Sequence, residues 1–232
     1  MAGRMLSVRF PLSLGLTLGT MASAHVLLQR VVPQADLAVG AGMVGGLTAV
    51  AVASDMTVDD VGLAKRRWGS GLRWGAAAAA IVAAGYGIAA LIPAVREITP
   101  ASTMSWQSTV LQAAVVIPLA TVIPEEFAFR GVLFGLLQRQ SGRRVATAVS
   151  SALFGLWHVL PALGGGAANA SAVGVVGDST AGVVLRVVGT VLFTGLGGVV
   201  LCELRSRSGS LLAPMGLHWA INGFGELFVL AV

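Results

Sequence analysis

The chain is short of charge. Of its 232 residues only 11% are charged, against a hydrophobic share of 56%. A soluble globular domain carries about 25% charged residues. So few cannot cover a water-facing surface, which excludes a soluble domain. The hydrophobic share also excludes intrinsic disorder, which needs low hydrophobicity. Cysteine occurs once, at Cys202, so neither an internal disulfide nor a multi-thiolate metal site can form. Lysine also occurs once, at Lys65, and arginine supplies the rest of the 15 basic residues. Two familiar protease signatures are missing: there is no H-E-x-x-H and no G-x-S-x-G. Acidic residues number ten. Two of them, Glu125 and Glu126, stand side by side in an apolar stretch.

What is present is long apolar runs and glycine, 31 residues of it, which lets helices approach closely in lipid. A transmembrane helix needs about 20 mostly apolar residues. Seven spans are predicted: Pro11 to Leu28, Ala35 to Ser54, Gly75 to Val95, Ser105 to Leu137, Val145 to Leu163, Val183 to Leu204 and Ser210 to Leu230. The fold class is therefore all-α, a polytopic membrane helical bundle of about seven helices. The fourth region is long for one span, and Pro118 and Pro124 offer places to kink or break it. The polar stretch Asp55 to Trp74 reads as an interfacial amphipathic helix. The Gly/Ala/Ser-rich loop Gly164 to Gly182 and that stretch are candidates for gating or substrate access.

Orientation follows from the basic residues, which concentrate in cytoplasmic loops. With the N-terminus inside, that side holds Arg4, Arg9, Lys65, Arg66, Arg67, Arg73, Arg139, Arg143, Arg144, Arg205 and Arg207. The other side holds Arg30, Arg96 and Arg186. The expectation is an N-in, C-out chain. Arg4, Arg9 and Ala22-Ser23-Ala24 also resemble a signal peptide, but the charge alternation works with the first span retained. The arginine bias and the alanine and glycine richness point to a GC-rich bacterial genome, and so to a bacterial plasma membrane. The scattered basic residues do not make a nucleic-acid surface. The expected partners are the lipid bilayer and a membrane-associated protein or peptide.

Ionisable groups at membrane depth cost ~2.5–3.5 kcal/mol or more each, which makes them functional candidates. Glu126 and Arg130 stand at i,i+4 and can pair on one helix face. Glu125 points about 100° away and is free for other work, such as accepting a proton. His158 follows Phe154 by four residues, and His218 precedes Asn222 by four. Taken singly, each group also has a structural reading as an interhelical clamp. At about 1.5 Å per residue, Glu125, His158 and His218 lie roughly 21, 20 and 17 Å from the cytoplasmic ends of their spans. Independent clamps have no reason to share a depth, whereas a common site does. His25 has no motif near it and reads as structural or cavity-facing.

In order, Glu125-Glu126-x-x-x-Arg130, Phe154-x-x-x-His158 and His218-x-x-x-Asn222 resemble the CPBP family of intramembrane proteases. That family includes CAAX prenyl endopeptidases of the Rce1 type and bacterial bacteriocin-processing and self-immunity proteins. Phe129-Arg130-Gly131 and Arg207-Ser208-Gly209-Ser210 are similar too, and the likeness spans about Ala101 to Phe228. It divides the chain into N-terminal helices, 1–100, and a catalytic membrane core, 101–232. The resemblance implies peptide-bond hydrolysis within or beside the membrane. Glu125 with His158 would activate water. His218 and Asn222 would stabilise the oxyanion or join in binding a metal, and Glu126 and Arg130 would orient the site. Zinc is a candidate cofactor, with Glu125, His158 and His218 as ligands. A metal-free glutamate protease would use the same residues. The rival readings are a proton- or ion-coupled transporter, and a non-catalytic scaffold or immunity factor.

Overall fold

Lipid offers no hydrogen bonds to the backbone, so a spanning segment must satisfy its own. The computed structural model accordingly consists of helices, and no strand occurs among the described residues, which are 2–99, 101–164, 177 and 179–232, with the backbone alone at 2–9. Helix α1 is Ala2–Val26 and widens into a π turn at Leu27–Val31. Helix α2 is Asp36–Ala53, α3 is Trp68–Ala90 and α4 is Pro93–Ile98. Helix α5, Trp106–Leu111, begins on Ser105, whose hydroxyl accepts the Ser108 amide at 3.2 Å.

From α5 the chain stays helical but changes pitch repeatedly. Wide π turns cover Gln112–Val122, a short α6 follows at Ile123–Glu126, and further π turns cover Phe127–Leu133. Pro118 lies in the first wide segment and Pro124 opens α6. Proline has no amide to donate and its ring pushes against the preceding turn. The expected break at these prolines is thus taken up as widening. Helix α7 is Phe134–Trp157, α8 Val159–Leu163, α9 Thr180–Ser208 and α10 Leu212–Ala231. The true interruption lies inside α7 at Gly142, with φ of 82°, a left-handed conformation that glycine adopts without strain.

Five stretches are long and apolar enough to cross a membrane: Phe10–Val31, Pro33–Ala53, Lys65–Ala90, Trp106–Leu163 and Thr180–Ser208. The fourth, 58 residues long, is divided by Gly142. Helix α10 is also long enough, and His218, Asn222 and Glu226 lower its apolar character. With both counted, the described residues form the expected bundle of seven long helices.

One expectation is corrected. Asp55 to Trp74 is not a separate interfacial helix. Residues 54–64 are turns, with Asp55 and Gly62 at φ of 51° and 79°. Asp60 accepts the Thr57 amide and hydroxyl, both at 2.8 Å. The third span then starts at Trp68, earlier than the expected Gly75. The loop 164–182 falls largely outside the described residues.

The polarity of the bundle is inverted relative to a soluble protein. Phe193, Leu196 and Ile81 face outward, where lipid would meet them. Glu126, Arg130 and Ser150 are inside. The core combines Met21, Ala24, Leu47, Phe129, Leu133, Phe134, Phe154 and Leu201, drawn from five helical stretches. All seven residues of Phe127–Leu133 are buried, so this segment is the axis of the molecule. Helix α9 packs on α7, and α10 packs on α3 and on Gln112–Val122. Gly155 makes the α7–α9 approach possible, since a Cβ there would lie 2.6 Å from the Val191 carbonyl oxygen.

Candidate active site

The two adjacent glutamates turn to different neighbours. Glu126 Oε1 accepts Arg130 Nη1 at 3.0 Å, and both side chains are 0% exposed. The expected i,i+4 pair is therefore formed. The Arg130 guanidinium also lies 4.0 Å over the Phe154 ring and 5.6 Å from the Phe129 ring. A buried cation gains from the negative face of an aromatic ring. Ser150 Oγ donates to the Phe129 carbonyl at 2.9 Å, tying α7 to the wide segment that follows the glutamates.

Glu125 is the less enclosed of the two, at 14% side-chain exposure. Its Oε1 accepts the Trp157 indole N–H at 3.0 Å. Its Oε2 is buried with no hydrogen-bond partner among the described residues. That oxygen lies 3.9 Å from His218 Nε2. His218 Nδ1 lies 2.8 Å from Glu126 Oε1. One imidazole on α10 thus bridges toward both glutamates.

The partners of the imidazoles fix their protons. A carboxylate and a carbonyl can only accept. His218 Nδ1 therefore donates to Glu126, and His158 Nδ1 donates to the Phe154 carbonyl at 2.8 Å. In the neutral form each ring then presents Nε2 as a lone pair. His158 does not sit mid-helix as the sequence suggests. It lies at the junction of α7 and α8, with φ of −87° and ψ of 1°. This turn carries its ring to the mouth of a cavity of about 310 Å³, lined by Glu125, Trp157, His158, His25, Gln29 and Asp36 among others. Phe154 meets the rings of His158 and His218 edge-on, at centroid distances of 4.8 and 5.9 Å. Phe154 of the F-x-x-x-H motif thus meets both its own histidine and that of the third motif.

Asn222 lies one turn beyond His218 on α10, half-buried, and makes no hydrogen bond among the described residues. Its amide is available to a ligand. The shared depth of the three motifs therefore corresponds to a shared place. Glu125, Glu126, Arg130 and His218 are in direct contact, and His158 lines the same cavity as Glu125.

The zinc set is not assembled in this geometry. Among the described residues no three His, Cys, Asp or Glu side chains converge where a metal ion could sit. Glu125 Oε1 is engaged by Trp157, while the oxygen acceptors on Nδ1 of both histidines leave each Nε2 open, as in a metal-binding histidine too.

Two residues of the site escape the motif reading. Trp157 holds Glu125, and an indole N–H deep in a span needs an acceptor, which is the signal that would have found it. His25, from α1, stacks on Trp157 with centroids 4.0 Å apart. Only a tertiary contact places it there.

Comparison with protein families matches residues 105–224 to the family described as type II CAAX prenyl endopeptidase Rce1-like. No curated protein and no solved structure matches the chain significantly. The matched region contains all seven motif residues, from Glu125 to Asn222, and leaves out α1 to α4. With its apolar helices and a match over more than half its length, the chain is an integral membrane protein that belongs to the Rce1-like family of type II CAAX prenyl endopeptidases.

Proposed function

We propose that the chain is an intramembrane endopeptidase that hydrolyses a peptide bond of a membrane-associated protein or peptide, with 101–232 as its catalytic core. Amide hydrolysis needs an activated water, charge stabilisation and a proton for the departing amine. Glu125 Oε2 takes a proton from water as the oxygen attacks the carbonyl carbon. His158, on the same cavity, presents Nε2 to the same water. The Asn222 amide and, when it carries a proton, His218 Nε2 hold the oxyanion. The C–N bond then breaks, and the amine leaves with the proton that Glu125 or His158 took up. Arg130 and Glu126 act one step back, because Glu126 fixes which nitrogen of His218 faces the cavity.

One observation carries this reading. Glu125 is held on one oxygen by Trp157, while its other oxygen is unpartnered and 3.9 Å from His218 Nε2. Glu126 also keeps one oxygen unpaired, but it is fully sealed, whereas Glu125 is 14% exposed and lines the cavity that His158 shares. The test is purified protein in lipid with a membrane-anchored peptide, the new N-terminus being read by mass spectrometry. His158→Ala and His218→Ala are expected to abolish cleavage. Ion uptake into proteoliposomes, lost in Glu125→Gln and without any peptide cleavage, would favour transport instead. A chelator titration with zinc add-back addresses the cofactor. Hydrolysis by protein groups alone leaves cleavage unchanged, and loss restored by zinc would overturn it.

A further inference from the structure

We infer that His25 is a positioning residue of this active site, acting on Glu125 through Trp157. The inference rests on the endopeptidase reading above, and it brings in a helix outside the matched region. The chain of contacts is short. The His25 ring lies 4.0 Å from the Trp157 ring, at an interplanar angle of 34°. The Trp157 indole N–H reaches Glu125 Oε1 at 3.0 Å. Phe129 also meets the indole edge-on, at 5.4 Å. The indole therefore touches a residue of the family core and a residue of α1. Without His25 the nearer of these ring contacts is gone and the N–H is free to swing off Glu125.

The surroundings give His25 no competing structural duty. Its Nδ1 is buried and has no hydrogen-bond partner among the described residues. It lines the same cavity as Glu125 and His158, together with Gln29 of the π turn after α1 and Asp36 at the start of α2. A histidine kept only as a helix contact would bond to the neighbouring helix. The N-terminal helices are thereby part of the catalytic wall, not merely a membrane anchor beside it.

A double-mutant cycle on kcat tests this, because residues acting through one another are non-additive. His25→Ala is expected to lower kcat about tenfold, as a misplaced catalytic group does, with KM little changed. Trp157→Phe, which deletes the N–H, is expected to lower it at least as much. In the Trp157→Phe background, adding His25→Ala is expected to cost almost nothing further. His25→Phe, which keeps a ring against the indole, is expected to restore most of the activity. Melting temperatures of all variants confirm that folded protein is compared. Additive losses, or full activity in His25→Ala, would overturn this inference alone. A wild-type chain that cleaves no peptide would overturn the endopeptidase reading, and this inference with it.

Discussion

Glu125 and Glu126 are the same residue, one position apart on one helix, and their surroundings make them opposites. Glu126 is sealed at 0% exposure and held by Arg130 and His218 on a single oxygen. Glu125 is 14% exposed, held by one indole, and lines a cavity with its second oxygen unpaired. The step of about 100° between neighbours on a helix accounts for the difference. One carboxylate turns into the core, where its charge must be matched, and the other turns to the cavity, where a free lone pair can act. The lesson is that a run of acids in a membrane helix divides its duties: one organises the fold, and its neighbour is left reactive.

Breaking the sealed half has the largest expected effect. Arg130→Ala leaves Glu126 buried without its cation, and removing one partner of a buried ion pair costs about 3–5 kcal/mol. The expected outcome is loss of folded protein in detergent, read by thermal melting, and activity lost with it. Replacing both partners, Glu126→Leu with Arg130→Met, should recover much of the melting temperature, since apolar isosteres are tolerated where a lone charge is not. Cleavage should stay absent, because His218 loses its acceptor.

The reactive half behaves differently. Asn222→Ala should lower kcat by roughly 10²–10³, the cost of one oxyanion donor, with little change in melting. A rise in KM with kcat unchanged would assign Asn222 to substrate binding instead. The smallest effect is expected at Ser150. Ser150→Ala removes the 2.9 Å bond to the Phe129 carbonyl, worth about 1 kcal/mol, and should lower the melting temperature by a few degrees. Activity should follow only the folded fraction.

Much of this division is legible in the sequence. The seven long helices follow from apolar runs, and the Glu126–Arg130 pair follows from i,i+4 spacing. The turn at His158 is legible only as a disturbance, because Pro161 three residues on upsets the preceding turn without marking which residue leaves the helix. The widening at Pro118 was legible as a disturbance but not as its kind. That His218 would donate to Glu126 while facing Glu125 depends on how α10 sits against Phe127–Leu133, a tertiary fact. His25 was visible as an ionisable group in a span, but its stack on Trp157 needs α1 folded against α7. No single helix spans Asp55 to Trp74, because polar composition alone does not make an amphipathic period, and only the part from Trp68 on is α-helical. Two left-handed residues and an Asp60 turn interrupt the part before it.

The most direct test compares Glu125→Gln with wild type in the same lipid, scoring melting temperature and peptide cleavage together. Glutamine keeps the shape and can still accept the Trp157 N–H, but it cannot take a proton from water. The expected result is an unchanged melting temperature with kcat down by roughly 10²–10⁴, the contribution of a general base. Cleavage at the wild-type rate in folded Glu125→Gln would contradict the assignment of Glu125 as the reactive member of the pair.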